Sequence, residues 1–273
     1  MKNGVFLALI AAVMFLLAGC VDTDTSVSVK KDGSGEITSR IIFVAASKSA
    51  DAKPTVVDEA MTKKYEALAA EMGEGVTLKA VEPVKADNGH GIRVQYAFTD
   101  ISKVKISTEN MMGESSKDNA AATFYTFAFK NNAAGKTVKA GNANPESVLL
   151  TVIAPKRDKK KAEPKDKASG AKKRKTPEEE ARDEEMFKKM FDGFRMALTV
   201  KVDGKIKKTN AARVDKDGGA VTMMDINYGK LINDEKKLKR FLGEGKKADK
   251  MDELSGRYDE LFADRAKAVD IVF

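Results

Sequence analysis

One cysteine, one histidine and no tryptophan set the limits of what this 273-residue chain can do. The lone thiol, Cys20, permits no internal disulfide. Small exported domains lean on such staples, but a chain of this length buries enough apolar surface without them. Twelve Met and thirteen Phe suit that packing. Structural zinc needs four Cys or His ligands, which the sequence does not hold, so neither a metal nor another cofactor is expected. A Ser-His-Asp triad would have to use His90. That residue sits in Asn88-Gly89-His90-Gly91, which reads as an exposed turn, and no Gly-x-Ser-x-Gly elbow presents a serine. Walker and Rossmann glycine patterns are missing. Asp217-Gly218-Gly219 lacks the alternating carboxylates of a calcium loop. Ser-x-x-Lys occurs at Ser28/Lys31, Ser102/Lys105 and Ser169/Lys172, but without the companion motifs that give it meaning. The lack of Trp argues against a sugar-stacking cleft. Carboxylate-pair hydrolysis is the catalytic alternative left, because 41 acidic residues offer pairs without marking any. No catalytic residue is assigned, and the chain reads as non-enzymatic.

Cys20 ends the run Leu16-Leu17-Ala18-Gly19-Cys20. Before it stand Lys2, a charged start, and Val5 to Ala18, an apolar stretch of fourteen residues. These are the parts of a signal peptide, and the stretch is short of the ~20 residues that span a bilayer. With small residues before the cysteine the run is a lipobox. Cleavage between Gly19 and Cys20 is expected, with residues 1–19 removed and the Cys20 thiol carrying a diacylglyceryl group and palmitate. Each buried methylene contributes about 0.8 kcal/mol, so two or three chains hold firmly. The expected location is the cell envelope, outside the cytoplasm, lipid-anchored to a membrane. Val21, rather than Asp, follows the cysteine, which favours the outer membrane in a Gram-negative envelope. Residues 20–25 read as a tether reaching at most roughly 20 Å.

The formal net charge of +8 belongs to one segment. Residues 155–177 hold eleven Lys and Arg, among them Lys159, Lys160, Lys161, Lys172, Lys173, Arg174 and Lys175, against three acids. The rest of the chain is neutral. Pro155, Pro164 and Pro177, with no aromatic or large aliphatic residue between them, mark a disordered basic linker. Export and the lack of interleaved aromatics exclude nucleic acid as its partner. Those seven cationic residues are the candidates for contact with anionic lipid or cell-wall polymer, and a plain solvated spacer is the other reading.

Elsewhere the pattern alternates between strand and helix. Ser26 to Lys30 and Glu36 to Val44 flank Asp32-Gly33-Ser34-Gly35, a hairpin signature. Val57, Ala60, Met61, Tyr65, Leu68, Ala69 and Met72 recur at helical spacing up to Gly73. Strands are expected at 76–81, 91–99, 122–130 and 147–153. Thr176-Pro177-Glu178-Glu179 opens a helix with the stripe Met186, Phe187, Met190, Phe191 and Phe194, expected to face the sheet. Met196 to Val202 alternates. Asp203-Gly204 and Asp217-Gly218-Gly219 read as further hairpin turns, 234–242 and 250–262 as short helices, and Val269 to Phe273 as a closing strand. The fold class is α+β, a mainly antiparallel, hairpin-rich sheet with amphipathic helices packed on one face and the basic linker interrupting it. Portions 26–154 and 178–273 form one domain sharing a sheet, or else two smaller ones.

The lipobox, the strand with Asp32-Gly33-Ser34-Gly35, the run from Gly75 to Pro83, and Tyr96-Ala97-Phe98-Thr99-Asp100-Ile101 together form a further pattern. With Leu198 to Ile206 ahead of Lys208-Thr209-Asn210-Ala211, they resemble a family of uncharacterised bacterial envelope lipoproteins. The likeness runs over nearly all of the chain after Cys20 and extends, more distantly, to LppM-type lipoprotein domains. It implies a lipid anchor and an α+β architecture, and it brings no catalytic residues to transfer. The expected role is a non-catalytic binding or interaction module at a membrane surface, its protein partner unnamed by the sequence. A carrier of lipid or another hydrophobic ligand, with the Met/Phe helix over an apolar cavity, is the alternative.

Overall fold

The structure, a computed structural model, describes residues 21–44, 55–87, 89–117, 119, 122–131, 147–155, 176–245 and 256–273. Its strands are β1 (Val21–Val29), β2 (Gly35–Val44), β3 (Thr77–Ala86), β4 (Gly89–Phe98), β5 (Lys105–Ser107) and β6 (Phe124–Asn131). They continue as β7 (Val148–Ile153), β8 (Arg195–Val202), β9 (Lys208–Thr209), β10 (Ala220–Asn227), β11 (Leu261–Ala263) and β12 (Ala268–Val272). The helices are α1 (Glu59–Met72), α2 (Thr108–Met111), α3 (Pro177–Phe191), α4 (Tyr228–Ile232) and α5 (Glu235–Gly245).

Two sheets form where one was expected. The larger has seven strands in the order β11-β10-β8-β1-β2-β4-β3, and the smaller five, β5-β6-β7-β12-β9. Each takes strands from both sides of the basic segment, so neither half completes a sheet alone. All neighbours are antiparallel except β1 and β8, which run parallel from Asp22–Arg195 to Val29–Val202. Residues 21–25, read as tether, are the first half of the central strand β1. Their alternation explains this. Thr23 and Thr25 continue the buried side of Val27 and Val29, and a β-branched threonine fits a pleated surface nearly as well as valine.

The large sheet has one apolar and one polar face. A rung of its apolar face runs Val81, Val94, Ser39, Thr25, Leu198, Met224 and Ala263 through six strand pairings. Its two polar members satisfy each other, with Thr25 Oγ1 and Ser39 Oγ 3.0 Å apart. Residues of the small sheet and of α1, α4 and α5 join this face in one core. Leu198, Val200, Leu150, Leu231 and Leu261 there are fully buried. Each such side chain contributes about 1.5–3 kcal/mol by leaving water.

The turns decide where the sheets meet. Between β1 and β2, Gly33 has φ +86°, and a Cβ there would lie 3.0 Å from Phe129 Cε1 of the small sheet. Gly33 also accepts from the Ile101 N–H at 2.9 Å. Asp203-Gly204 does not make the expected hairpin. Asp203 N–H donates to Val29 O, Ile206 N–H to Gly218 O and Lys207 N–H to Val272 O, so the chain crosses to the small sheet as β9. Leu261, expected in a helix over 250–262, lies in β11 opposite Ile226, while residues 250–255 fall outside the described set.

Candidate functional site

Strand registers bring the ends of six strands together with the first residue after Cys20. Val21 pairs with Phe43, Val44 with Gly89, Asp22 with Arg195, Arg195 with Asn227, and Ile226 with Leu261. On the polar face just inside this end lies an ion-pair cluster. Arg195 Nε donates to Asp225 Oδ1 at 2.9 Å and Nη1 to Asp24 Oδ2 at 3.4 Å, with Asp22 Oδ1 3.8 Å away. The next rung extends it: Asp24 faces Arg40, Arg40 faces Arg93, and Arg93 reaches Glu82 at 3.8 Å. Alternation in β1 puts Asp22 and Asp24 on the polar side while Thr23 and Thr25 go inward.

Burial moves these groups in opposite directions. It raises the Asp22 carboxyl above its ordinary range, outweighing the pull of Arg195 and Arg40. Burial alone would lower Arg195, but the hydrogen bond and charge of Asp225, with Asp24 and Asp22, raise it instead. A guanidinium surrounded by three carboxylates is a structural tie across β8, β1 and β10. Asp22 Oδ1 and Thr23 Oγ1 are buried without a hydrogen-bond partner.

At the same end stands an aromatic cluster. The turn Asp192-Gly193-Phe194 joins α3 to β8; Gly193 has φ +75°, and a Cβ there would meet Val44 Cγ1 at 3.0 Å. Phe187 and Phe191 of α3 have ring centroids 4.5 Å apart, and Phe191 lies 4.8 Å from Tyr228 of α4. Phe187 lies 5.5 Å from Phe241 of α5, and Phe241 5.7 Å from Tyr258. Burial pushes the Tyr228 hydroxyl up to about 12. The stripe expected to face the sheet is therefore split. Phe187, Phe191 and Phe194 turn toward α4 and α5, whereas Met186 and Met190 remain 56% and 49% exposed.

The sequence-derived site residues fall elsewhere. Gly19 and Cys20 lie outside the described residues, as do Lys159, Lys160, Lys161, Lys172, Lys173, Arg174 and Lys175. His90, read as a turn residue, is half-buried in β4 between Phe43 and Lys85, because the β3–β4 turn closes earlier. Among the described residues no group of three His, Cys, Asp or Glu is placed to hold a metal, and no helix is long and apolar enough to cross a membrane. The Arg195 cluster was missed by sequence reasoning. Its members are spread from Asp22 to Asp225, and only the polar alternation of β1 hinted that Asp22 and Asp24 share a face.

No family model matches this chain, and no curated protein matches it. Among solved structures, it is similar to the NMR structure of the folded domain of LppM from Mycobacterium tuberculosis. The identity is 15%, the TM-score 0.31, and the match covers 78% of this chain and 85% of that chain. A likeness of that size is distant, and no residue role is taken from it.

Proposed function

We propose that the chain is a lipoprotein of the cell envelope, held to a membrane by acylated Cys20, whose folded part is a non-catalytic binding or interaction module at the membrane surface. One observation carries the reading: Cys20 closes a lipobox and is bonded directly to the first residue of the central strand. One residue spans at most about 3.6 Å, so acyl chains on Cys20 would hold the sheet against the bilayer rather than let it range from it. The basic segment, with Lys159, Lys160, Lys161, Lys172, Lys173, Arg174 and Lys175, supports contact with anionic lipid or wall polymer, since each cation near such a surface contributes about 1 kcal/mol. Metabolic labelling with palmitate tests the anchor. Label is expected in the wild type and not in Cys20→Ser; equal labelling of the two refutes the reading.

A further inference from the structure

We infer that the strand end carrying Val21 is a membrane-docking face, on which Phe43 and the outer side of α3 sit in the headgroup layer of the bilayer. This rests on acylation of Cys20 and goes beyond it, since an anchor alone fixes attachment but not orientation.

Three independent features meet at this end. The first is the point of attachment. Val21 pairs with Phe43, so acyl chains on the preceding residue leave the fold beside Phe43, which is 47% exposed. The second is apolar exposure. Six large apolar side chains are exposed among the described residues, and Phe43, Met186 and Met190 are three of them. The Gly193 turn seats the end of α3 on Val44, next to Phe43. Met186 lies five residues before Phe191, which is about 8 Å along the helix. Met is unbranched and polarizable, well suited to disordered acyl chains.

The third feature is charge. Lys230, Lys236 and Lys239 are exposed on α4 and α5, and the basic segment ends at Lys175, one residue before the Thr176 cap of α3. The acids of α3 gather toward its start, where Glu178 and Glu179 face the positive end of the helix dipole. Those in its later turns are paired, Glu184 to Lys188 at 2.9 Å and Glu185 to Lys189 at 2.7 Å. Exposed Met186 and Met190, on a helix packed against the α4 and α5 that carry Lys230, Lys236 and Lys239, suit an interfacial contact with anionic lipid. The opposite strand end is covered by the small sheet, whose Asn131 Nδ2 donates to Lys31 O at 3.0 Å and whose Phe129 stands beside the Gly33 turn.

The lack of Trp in the chain makes the test clean, because one introduced indole reports alone. Full-length chains carrying Met186→Trp, Met190→Trp or Val214→Trp are extracted in lipidated form and reconstituted in phosphatidylethanolamine/phosphatidylglycerol vesicles with acyl chains brominated near the headgroup. Val214 is similarly exposed but lies near the far strand end, bridged to Val221. All three are surface positions, so folding is preserved. The Met186→Trp and Met190→Trp chains should lose most of their emission, and Val214→Trp should keep its own. Protein that floats with the vesicles but shows no quenching at either α3 position overturns the docking face and leaves the anchor standing. Equal quenching at all three positions overturns it too. Protein that carries no label and fails to float overturns the anchor, and this face with it.

Discussion

Helix α1 buries Tyr65, Leu68, Ala69 and Met72 to 4% exposure or less, whereas α3 leaves Met186 and Met190 about half exposed. Both show apolar residues at helical spacing, and both start at a proper cap. Asp58 accepts from Met61 N–H in α1, and Thr176 and Glu179 form a capping box in α3. What differs is the surroundings. Gly73 ends α1 against the Lys103 carbonyl. Glu71, buried, accepts from Ser115 Oγ at 2.7 Å and from Ser116 N–H at 2.9 Å, clasping the loop after α2. α3 is held on one side, by rings of α4 and α5. Spacing therefore announces a helix, and the number of sides on which neighbours stand decides whether its stripe becomes core.

The largest effect that separates the two helices is truncation of their apolar side chains. Leu68→Ala is expected to cost about 2–5 kcal/mol, the range for a fully buried leucine. Met190→Ala should stay within about 0.5 kcal/mol, as surface substitutions do. Urea unfolding of both variants measures this, and similar losses would erase the distinction drawn between α1 and α3.

Next comes the Glu71 clasp. Glu71→Gln replaces a charged acceptor of the Ser115 and Ser116 donors by a neutral amide and removes the charge facing Lys117, and should cost about 1–2 kcal/mol, the difference between a charged and a neutral acceptor. Burial alone would raise the Glu71 carboxyl, but the Ser115 and Ser116 hydrogen bonds and the Lys117 charge lower it below its ordinary 4.5. A carboxylate lowered by folding stabilises fully above its unfolded value, and that contribution is lost as pH falls through the folded one. The urea midpoints of wild type and Glu71→Gln should thus differ most at neutral pH and converge in acid. A gap that stays constant with pH would show that the ionised clasp does not act.

The smallest expected effect is at the start of α3. Thr176→Ala removes the acceptor for the Glu179 N–H and should cost about 1 kcal/mol. With packing on one side only, α3 should open locally, so amide exchange should quicken in its first turns while the urea midpoint hardly moves. A matching global loss would mean that α3 is as firmly built in as α1.

The strand at Gly89–Phe98 was legible because period-two alternation needs only one buried face, and those at Phe124–Asn131 and Val148–Ile153 because aromatic and β-branched runs favour the extended chain. α1 and α3 were legible from spacing and caps, and the β1–β2 turn from Asp32-Gly33, where glycine meets the positive φ. Asp203-Gly204 misled because a turn signature does not say which strand comes next. Val29 and Val272 supply the carbonyls that send the chain to the other sheet. The tether was misread because Asp22 to Thr25 is polar enough for a linker. Only the neighbours Ile41 and Met196 make Thr23 a core residue.

Sequence by itself determined what is local: the apolar run that ends at Cys20, the basic run after Pro155, the helix caps and the strand alternation, each set by residues within a few positions of one another. Tertiary structure decided everything that joins distant segments. It set β1 parallel to β8, placed Asp22 and Asp24 around Arg195, and made α3 stand at the strand end from which Cys20 departs. The physical reason is that such pairings are selected by the buried face each segment shares with its neighbours, and that face exists only once the chain has folded.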